Sequence, residues 1–232
     1  PVTRHVEFLA VNDMHAAIDN FPHFAFIVDS LRTLYPDMLL VSAGDNQTGN
    51  PANDQYKEKG MPMIELMNAV NFDISAVGNH EFDSKPDGFA KNTQKAGFDF
   101  IGSNILLPEG NGYRIRPFKI ITTKNGVRIA FVSLLNINEG GIPDSHPDNV
   151  KEFRFKEPYA TAKEYLFLSD SCQVFVFLNH MGFEEDVALA GQLPAGKVDL
   201  IIGGHSHTRV DKEQIHNGIL ITQAERKLKY AT

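Results

Sequence analysis

The chain has 232 residues, of which 42% are hydrophobic and 22% charged, with 18 glycines and 12 prolines. This composition is typical of a folded globular domain and excludes disordered, collagen-like and low-complexity proteins. The 22 Lys and Arg residues face 29 Asp and Glu residues, which gives a net charge of -7. Sequence-independent nucleic-acid binding needs a basic surface, so we expect no nucleic-acid polymer as a partner.

The most apolar stretches are too short to cross a membrane. Val127–Leu135 and Val174–Leu178 fall far below the roughly 20 residues that a membrane-spanning helix needs, so we expect no membrane span. The chain begins at Pro1 without a methionine, and we expect a processed product or a trimmed fragment. The single cysteine, Cys172, excludes an internal disulfide and leaves the compartment open.

Predicted strands and helices alternate in the first half of the chain. Apolar, β-prone runs predict strands at Val6–Val11, Met38–Ala43 and Ile74–Val77. Apolar residues spaced three and four apart predict a helix at Phe21–Leu34. A second helix is predicted at Met63–Ala69. This alternation with short connections favours an α/β fold whose sheet is at least partly parallel.

The second half is less regular. Strands are predicted at Phe98–Ile101, Phe118–Thr122, Val127–Leu134, Val174–Leu178, Leu200–Ile202 and Ile219–Thr222. Thr122–Gly126 is typical of a hairpin turn, which introduces antiparallel pairing. Helices are predicted around Tyr159–Leu166 and Glu184–Leu189, and the long segment Asn136–Asn149 is interpreted as a loop at the rim of a site.

Potential metal ligands stand where five predicted strands end. They are Asp13 and His15, Asp45, Asn79 and His80, His180, and His205 and His207. Loops at the carboxyl ends of parallel strands converge on one side of a sheet, so these side chains can share a pocket. Histidine and carboxylate ligands without thiolates suit Zn, Mn, Fe or a similar divalent ion. Asp45 is the natural bridge between two such ions.

Each of these residues is a weak signal by itself. An Asp after a strand is most often a turn or cap residue, and Gly203–Gly204 is also typical of a tight turn. A His-x-His pair such as His205 and His207 also occurs on solvated strands. Four histidines lack a comparable setting and are interpreted as ordinary: His5, His23, His146 and His216.

Taken in order, the motifs resemble the signature of the calcineurin-like metallophosphoesterases. They are Asp13-x-His15, Gly44-Asp45, Gly78-Asn79-His80-Glu81, the lone His180, and Gly204-His205-Ser206-His207. Gly78–Asp83 (GNHEFD), preceded by Met63–Asn68 (MIELMN), is similar to the 5'-nucleotidase branch. The resemblance covers nearly the whole chain. It implies a four-layer α-β-β-α sandwich of two mixed β-sheets flanked by helices.

The resemblance also implies two divalent metal ions and a catalytic pair. The implied ligands are Asp13, His15, Asp45 and His207 for the first ion, and Asp45, Asn79, His180 and His205 for the second. His80 resembles the catalytic histidine, and Asp83 resembles the carboxylate that orients it. Many members of the nucleotidase branch have Gln at the position of His207, a departure that bears on metal preference. Paired ions can activate a water molecule and hold a phosphate oxygen, so no phosphoenzyme is expected.

The implied activity is hydrolysis of a phosphoester, most simply by a 5'-nucleotidase-type phosphomonoesterase with a nucleotide substrate. A 2',3'-cyclic nucleotide phosphodiesterase or a phosphoprotein phosphatase would use the same ligands, and the loops Asn46–Lys59 and Asn136–Asn149 would decide between them. A non-catalytic metal-binding domain is the remaining alternative, although no motif residue is lost. Arg114, Arg116 and Lys119 are interpreted as a solvated face rather than a phosphate site.

Two-domain 5'-nucleotidases carry a second domain that stacks the base. The chain ends at Thr232, so we expect residues 1–232 to form a single catalytic domain without that C-terminal nucleotide-specificity domain. Three explanations stay open: a catalytic fragment, a base pocket on a separate polypeptide, or a substrate that is not a nucleotide. The nucleotidase branch is largely secreted, periplasmic or surface-anchored, so we expect a periplasmic or secreted location.

Overall fold

Two β-sheets pack face to face and carry helices on their outer surfaces. The computed structural model describes residues 3–110 and 112–232. The strands are β1 (Phe8–Val11), β2 (Leu39–Ser42), β3 (Ile74–Ala76), β4 (Asp99–Ile101), β5 (Ile105–Leu106), β6 (Ile115–Arg116), β7 (Phe118–Thr122), β8 (Arg128–Val132), β9 (Arg154–Phe155), β10 (Val174–Leu178), β11 (Leu200–Ile202), β12 (Gln214–His216) and β13 (Ile219–Thr222).

Within the described residues, helical segments lie in six of the twelve connections between successive strands. The α-helices are α1 (Phe21–Leu34), α2 (Pro51–Asp54), α3 (Met61–Ala69), α4 (Lys85–Lys95), α5 (Pro147–Val150), α6 (Pro158–Glu164) and α7 (Phe183–Gln192). Three segments are 3-10 helices: Ile18–Asn20, Asn79–Ser84 and Leu166–Asp170. Within the described residues, none of the helices combines the length and the apolar character that crossing a bilayer requires.

The first sheet has the strand order β1-β2-β3-β4-β6 and is parallel throughout. Its first four strands are linked by helical crossovers, which return the chain to the same end of the sheet. The prediction that both sheets are mixed is therefore wrong for this sheet, which is entirely parallel. The broader prediction of an α/β fold with parallel pairing is confirmed.

The second sheet, of order β12-β13-β11-β10-β8-β7, is mixed. Its four central strands are parallel, and β7 and β12 pair antiparallel at the two edges. The predicted hairpin turn lies between β7 and β8, where the Thr123 N–H donates to the Val127 carbonyl at 2.9 Å. A separate two-stranded ribbon joins β5 and β9.

Three apolar clusters hold the layers together. The cluster between the sheets includes Val41, Ile74 and Ala76 of the first sheet and Phe131 and Val176 of the second. A second cluster packs α1, α3 and α4 on the first sheet, and a third packs α6 and α7 on the second. Burying a large apolar side chain contributes about 1.5 to 3 kcal/mol, so these clusters fix the sandwich. The predicted α-β-β-α layering is confirmed.

Candidate metal centre

The eight residues singled out at the ends of predicted strands lie together in the structure. They follow β1, β2, β3, β10 and β11. Three groups of ligand atoms each fit within 4.8 Å: Asp13, His15 and His207; His15, Asp45 and His80; and Asp45, His180 and His205. Asn79 joins the third group through its Oδ1, which lies 3.0 Å from His205 Nδ1.

Asp45 belongs to two of these groups. Its Oδ2 lies 3.1 Å from His180 Nε2 and 4.0 Å from His15 Nε2. Asp13 Oδ1 lies 3.3 Å from His207 Nε2, 3.8 Å from His15 Nε2 and 4.0 Å from His180 Nε2. Both carboxylates thus lie within 4.0 Å of His15 and of His180.

The residues fit divalent ions because buried atoms of the cluster face one another without well-formed hydrogen bonds. Asp13 Oδ1 and His180 Nε2 are buried and have no hydrogen-bond partner in the described part of the chain; their neighbours are other potential ligand atoms, His207 Nε2 at 3.3 Å and Asp45 Oδ2 at 3.1 Å. An unsatisfied buried group costs about 1 to 3 kcal/mol when neutral and more when charged. His15 Nε2 and His207 Nε2 face each other at 3.0 Å. These nitrogen and oxygen atoms point at the same space, and each can bind a cation when it carries no proton.

Backbone carbonyls orient two of the imidazoles. His180 Nδ1 lies 2.7 Å from the Ala43 carbonyl, and His15 Nδ1 lies 3.1 Å from the Thr48 carbonyl. Because a carbonyl only accepts, each Nδ1 must carry the proton. In the neutral imidazole, Nε2 then presents its lone pair to the cluster, as in metal sites whose histidines are fixed by an outer hydrogen bond.

The backbone around the cluster is held in unusual conformations. Positive φ angles occur at Asp13 (48°), His15 (45°), Asp45 (54°), His205 (78°) and His207 (55°). Residues other than glycine pay about 1 to 3 kcal/mol for such strained conformations, which concentrate at functional sites. The loops therefore hold these side chains close together, and the strained backbone lowers the stability of the fold.

Glycines permit the close approach of these loops. A Cβ atom on Gly78 would lie 2.3 Å from Asp45 Oδ1, and one on Gly204 would lie 2.8 Å from the Ala43 carbonyl oxygen. Any side chain at either position would push an adjacent loop away. The glycines of the motifs therefore clear space for the ligands as well as form turns.

Glu81 is a structural member of the site whose role sequence analysis missed. Its buried carboxylate accepts the backbone N–H groups of Asp45 at 2.9 Å, Asn46 at 2.8 Å and Gly78 at 2.7 Å. Burial, followed by the nearby Asp45 carboxylate, raises the pKa of Glu81 to about 7. The sequence signal for this role of Glu81 was its place as the fourth residue of the Gly-Asn-His-Glu motif. Two of its partners, however, Asp45 and Asn46, lie 36 and 35 residues away in sequence, and their contacts with Glu81 form only in the fold.

His80 and Asp83 form a hydrogen-bonded pair at the edge of the cluster. His80 Nδ1 lies 2.7 Å from Asp83 Oδ2, and the two side chains are 35% and 20% exposed. This hydrogen bond raises the pKa of His80 to about 9; burial opposes the shift and the Asp45 charge adds to it. Burial alone would raise the pKa of Asp83, but the bond to His80 lowers it. The pair can therefore present a protonated imidazole to a ligand.

Two loops predicted from the sequence border the cluster. The Asn136–Asn149 loop reaches it at Asp144, whose carbonyl accepts from Asn79 Nδ2 at 3.0 Å. The Asn46–Lys59 loop reaches it at Thr48, beside His15. The basic residues Arg114, Arg116 and Lys119 are elsewhere and surround Asp99 at 3.8, 3.0 and 2.6 Å.

Comparison with known proteins agrees with this geometry. A family model described as calcineurin-like phosphoesterase matches residues 6–209. The chain therefore belongs to the calcineurin-like phosphoesterase family, which confirms the resemblance drawn from the motifs.

Individual relatives are similar to the chain over most of its length. Protein UshA of Yersinia enterocolitica is 28% identical over 90% of this chain and 41% of its own length. A 5'-nucleotidase of Vibrio cholerae is 30% identical over 83% of this chain and 39% of its own. The chain thus spans about two fifths of the length of the curated relatives it matches.

Solved structures share the fold. Haemophilus influenzae NAD nucleotidase superposes with a TM-score of 0.83 at 22% identity, over 97% of this chain and 51% of that protein. A 5'-nucleotidase precursor from Thermus thermophilus superposes with a TM-score of 0.83 at 23% identity, over 97% and 50%. The sandwich of two sheets is therefore the same in all three.

Proposed function

We propose that the chain is a 5'-nucleotidase-type phosphomonoesterase that uses two divalent ions and a water nucleophile. The observation that carries the proposal is the position of Asp45, shared by two groups of potential ligands. A carboxylate can bridge two cations, whereas a neutral imidazole holds only one. Family membership supports phosphoester hydrolysis, and the relatives named 5'-nucleotidase support the branch.

Seven residues would hold the ions. In this proposal Asp13, His15, Asp45 and His207 bind the first, and Asp45, Asn79, His180 and His205 bind the second. Zn, Mn and Fe suit this nitrogen and oxygen donor set. When bound, such ions supply Lewis acidity toward a phosphate oxygen and toward an attacking water.

The remaining chemistry belongs to His80 and Asp83. His80 is exposed enough to touch a substrate and donates a hydrogen bond to a phosphoryl oxygen or a proton to the leaving alkoxide. Asp83 accepts from His80 Nδ1, so it fixes the tautomer and keeps Nε2 available for the substrate. Orientation by Asp83 also limits the rotation of the imidazole.

The substrate is proposed to be a nucleotide because relatives named 5'-nucleotidase and NAD nucleotidase share the domain. A cyclic nucleotide phosphodiesterase and a phosphoprotein phosphatase would have the same ligand set.

We also propose a periplasmic or secreted location, because the chain resembles the 5'-nucleotidase branch. Fractionation of the source cells tests this proposal. A protein found only in the cytoplasm would contradict it.

Phosphate release from a substrate panel tests the proposal. The panel contains AMP, ATP, 2',3'-cyclic AMP, p-nitrophenyl phosphate and its bis-ester, each with added manganese and with a chelator control. Chelator-sensitive hydrolysis of AMP above the generic esters supports the 5'-nucleotidase assignment. Equal, slow hydrolysis of all monoesters locates specificity outside this domain. Absence of hydrolysis by metal-loaded protein contradicts the proposal and favours a non-catalytic metal-binding domain.

A further inference from the structure

Helix α7 begins between two of the loops that carry candidate ligands. Asp186, in the first turn of α7, is completely buried. Its Oδ1 accepts a hydrogen bond from Asn179 Nδ2 at 2.8 Å. Asn179 directly follows β10 and directly precedes His180. One oxygen of Asp186 is therefore bonded to the chain neighbour of a candidate ligand.

The other oxygen of Asp186 faces the loop after β11. A Cβ atom on Gly203 would lie 2.2 Å from Asp186 Oδ2, so the carboxyl packs directly against this glycine. Gly203 follows β11 and stands two positions before His205. Within the described residues, Oδ2 is buried without a hydrogen-bond partner. The Asp186 carboxyl thus fills the space between the loop of His180 and the loop of His205.

Asn179 is also held by groups at the ends of neighbouring strands. Its Oδ1 accepts the Leu134 N–H at 3.1 Å, and its own N–H donates to the Ile202 carbonyl at 2.9 Å. The backbone N–H of His180 donates to the Leu134 carbonyl at 2.8 Å. Asp186 supplies the acceptor for Asn179 Nδ2. Without that acceptor the buried amide would have to rotate or shift, because an unpaired buried donor is unfavourable.

The start of α7 has a second attachment to the loop of His205. The Phe183 N–H, one of the donors that a helix leaves free at its start, donates to Ser206 Oγ at 3.0 Å. Ser206 stands between His205 and His207, and its Oγ donates to Gln223 Oε1 at 3.1 Å. The first turn of α7 is thus connected to both loops through groups other than the candidate ligands.

We propose that Asp186 is a positioning residue that sets the separation of His180 and His205, the two histidines assigned to the second ion. The inference rests on the proposed function. Asp186 belongs to none of the three groups of ligand atoms, so it acts through Asn179 and through the loop of Gly203. Outer partners that orient metal ligands typically contribute about 10- to 100-fold to metal affinity or activity. This contribution should affect one ion rather than both.

Titration with Co²⁺ against a chelating indicator tests the inference. Asp186→Ala removes the acceptor for Asn179, whereas Asp186→Asn keeps an oxygen in the Oδ1 position. We expect the wild type to bind two equivalents of Co²⁺. In Asp186→Ala the dissociation constant of one equivalent should rise by about tenfold or more, and that of the other should stay close to the wild-type value. Asp186→Asn should restore both constants.

The visible absorption of the Co²⁺-loaded proteins identifies which ion is affected. His205→Ala and His207→Ala serve as references, because the proposed function assigns these two residues to different ions. The bands that weaken in Asp186→Ala at limiting Co²⁺ should be those lost in His205→Ala and not those lost in His207→Ala. A general loosening of the fold would weaken both sets of bands.

Leu189→Ala is the matched control for destabilisation. Leu189 lies in the same helix, is completely buried and packs in the apolar cluster of the second sheet. Its truncation leaves a cavity and should lower the melting temperature. Both Co²⁺ dissociation constants should stay at their wild-type values, because the contacts of Asp186 are kept.

Gly203→Ala approaches the same contact from the other loop. The new Cβ would displace Asp186 Oδ2, so this variant should weaken the same equivalent of Co²⁺. It decides the question if Asp186→Ala does not fold.

The outcomes distinguish this inference from the proposed function. If the wild type binds fewer than two equivalents of Co²⁺, the two-ion centre and the positioning role both fail. If it binds two and hydrolyses p-nitrophenyl phosphate, but Asp186→Ala and Gly203→Ala bind both ions equally well, only the positioning role is overturned. Equal weakening in Leu189→Ala also overturns that role, because lost stability would then explain the effect.

Discussion

The carboxylate of Glu81 accepts the backbone N–H of Asp45 at 2.9 Å and that of Gly78 at 2.7 Å. One buried side chain thereby ties the loop after β2 to the loop after β3. A further hydrogen bond links the same two loops, because Asp45 Oδ1 accepts the backbone N–H of His80 at 2.8 Å. The two candidate ligands Asp45 and Asn79 are thus fixed relative to each other by hydrogen bonds that involve no ion.

Replacing Glu81 should loosen both loops. In Glu81→Gln one carboxylate oxygen becomes an NH2 group facing N–H donors, and hydrogen bonds to a charged group contribute about 1.5 to 3 kcal/mol each. We expect the free energy of unfolding to fall by at least about 2 kcal/mol, together with a lower metal content. Urea denaturation and elemental analysis measure both.

The control for this variant is Glu65→Gln on the exposed side of α3, which should leave stability and metal content unchanged. If Glu81→Gln behaves like Glu65→Gln, the positioning role of Glu81 is wrong.

Substitution of His80 and substitution of Asp45 should lower activity for different reasons. His80→Ala removes a proton donor, and general acid catalysis contributes about 10²- to 10⁴-fold; we therefore expect a large fall in kcat with metal content retained. Asp45→Ala removes the carboxylate that belongs to two of the three groups, so metal and activity should disappear together. Turnover and bound metal are measured on the same preparations. Wild-type activity in either variant would contradict the role assigned to that residue.

Much of the site was predictable because its signals are local. Each candidate ligand stands within a few residues of the end of a β-prone run, as His180 does after β10, and parallel strands bring such ends together. The motifs then gave the residues a common interpretation. The helices α1 and α7 were also predictable, because their apolar residues repeat at helical spacing.

Other features depend on contacts that the sequence does not display. Helix α4 (Lys85–Lys95) was not predicted, because its sequence contains Pro86 and Gly88 and its apolar anchor is Phe89. The hydrogen bonds from Asp45 and Asn46 to Glu81, and the clearance between Gly78 and Asp45, join residues more than 30 positions apart.

The glycine of the Gly-Asn-His-Glu motif should not tolerate a methyl group. In Gly78→Ala the new Cβ would lie 2.3 Å from Asp45 Oδ1 and 2.5 Å from the Asp45 nitrogen, so the Asp45 loop must move. We expect metal binding to weaken at least tenfold and the melting temperature to fall. Titration with manganese and thermal unfolding test this.

Gly191 provides a matched control, because it lies exposed in α7 and a Cβ there meets nothing within 4 Å. Alanine is favoured over glycine in a helix by about 0.5 to 1 kcal/mol, so Gly191→Ala should keep or slightly raise stability. Equal behaviour of the two variants would contradict the clearance argument.

The buried carboxyl of Asp186 should make stability fall as pH rises. Burial raises its pKa to about 7, although Asn179 Nδ2 donates to Oδ1 at 2.8 Å. The nearby charges act in opposite directions: His180 lowers the pKa and Glu185 raises it. Since an unfolded Asp has a pKa of about 3.9, the folded state binds more protons than the unfolded state between about pH 4 and pH 7. Stability contributed by the protonated carboxyl is therefore lost as pH rises through this window.

Asp186→Asn tests this sign, because Asn stays neutral and keeps the oxygen that accepts from Asn179. At each pH the free energy of unfolding of the wild type is subtracted from that of Asp186→Asn. This difference should be about 2 to 3 kcal/mol more positive at pH 7.5 than at pH 5, given about 1.4 kcal/mol per pH unit. Comparing each variant with the wild type at the same pH removes the part of the histidine titration that does not depend on Asp186. Asp148→Asn on the exposed surface should show no such trend. A pH-independent difference for Asp186→Asn would mean that the carboxyl is ionised in the folded protein throughout this range.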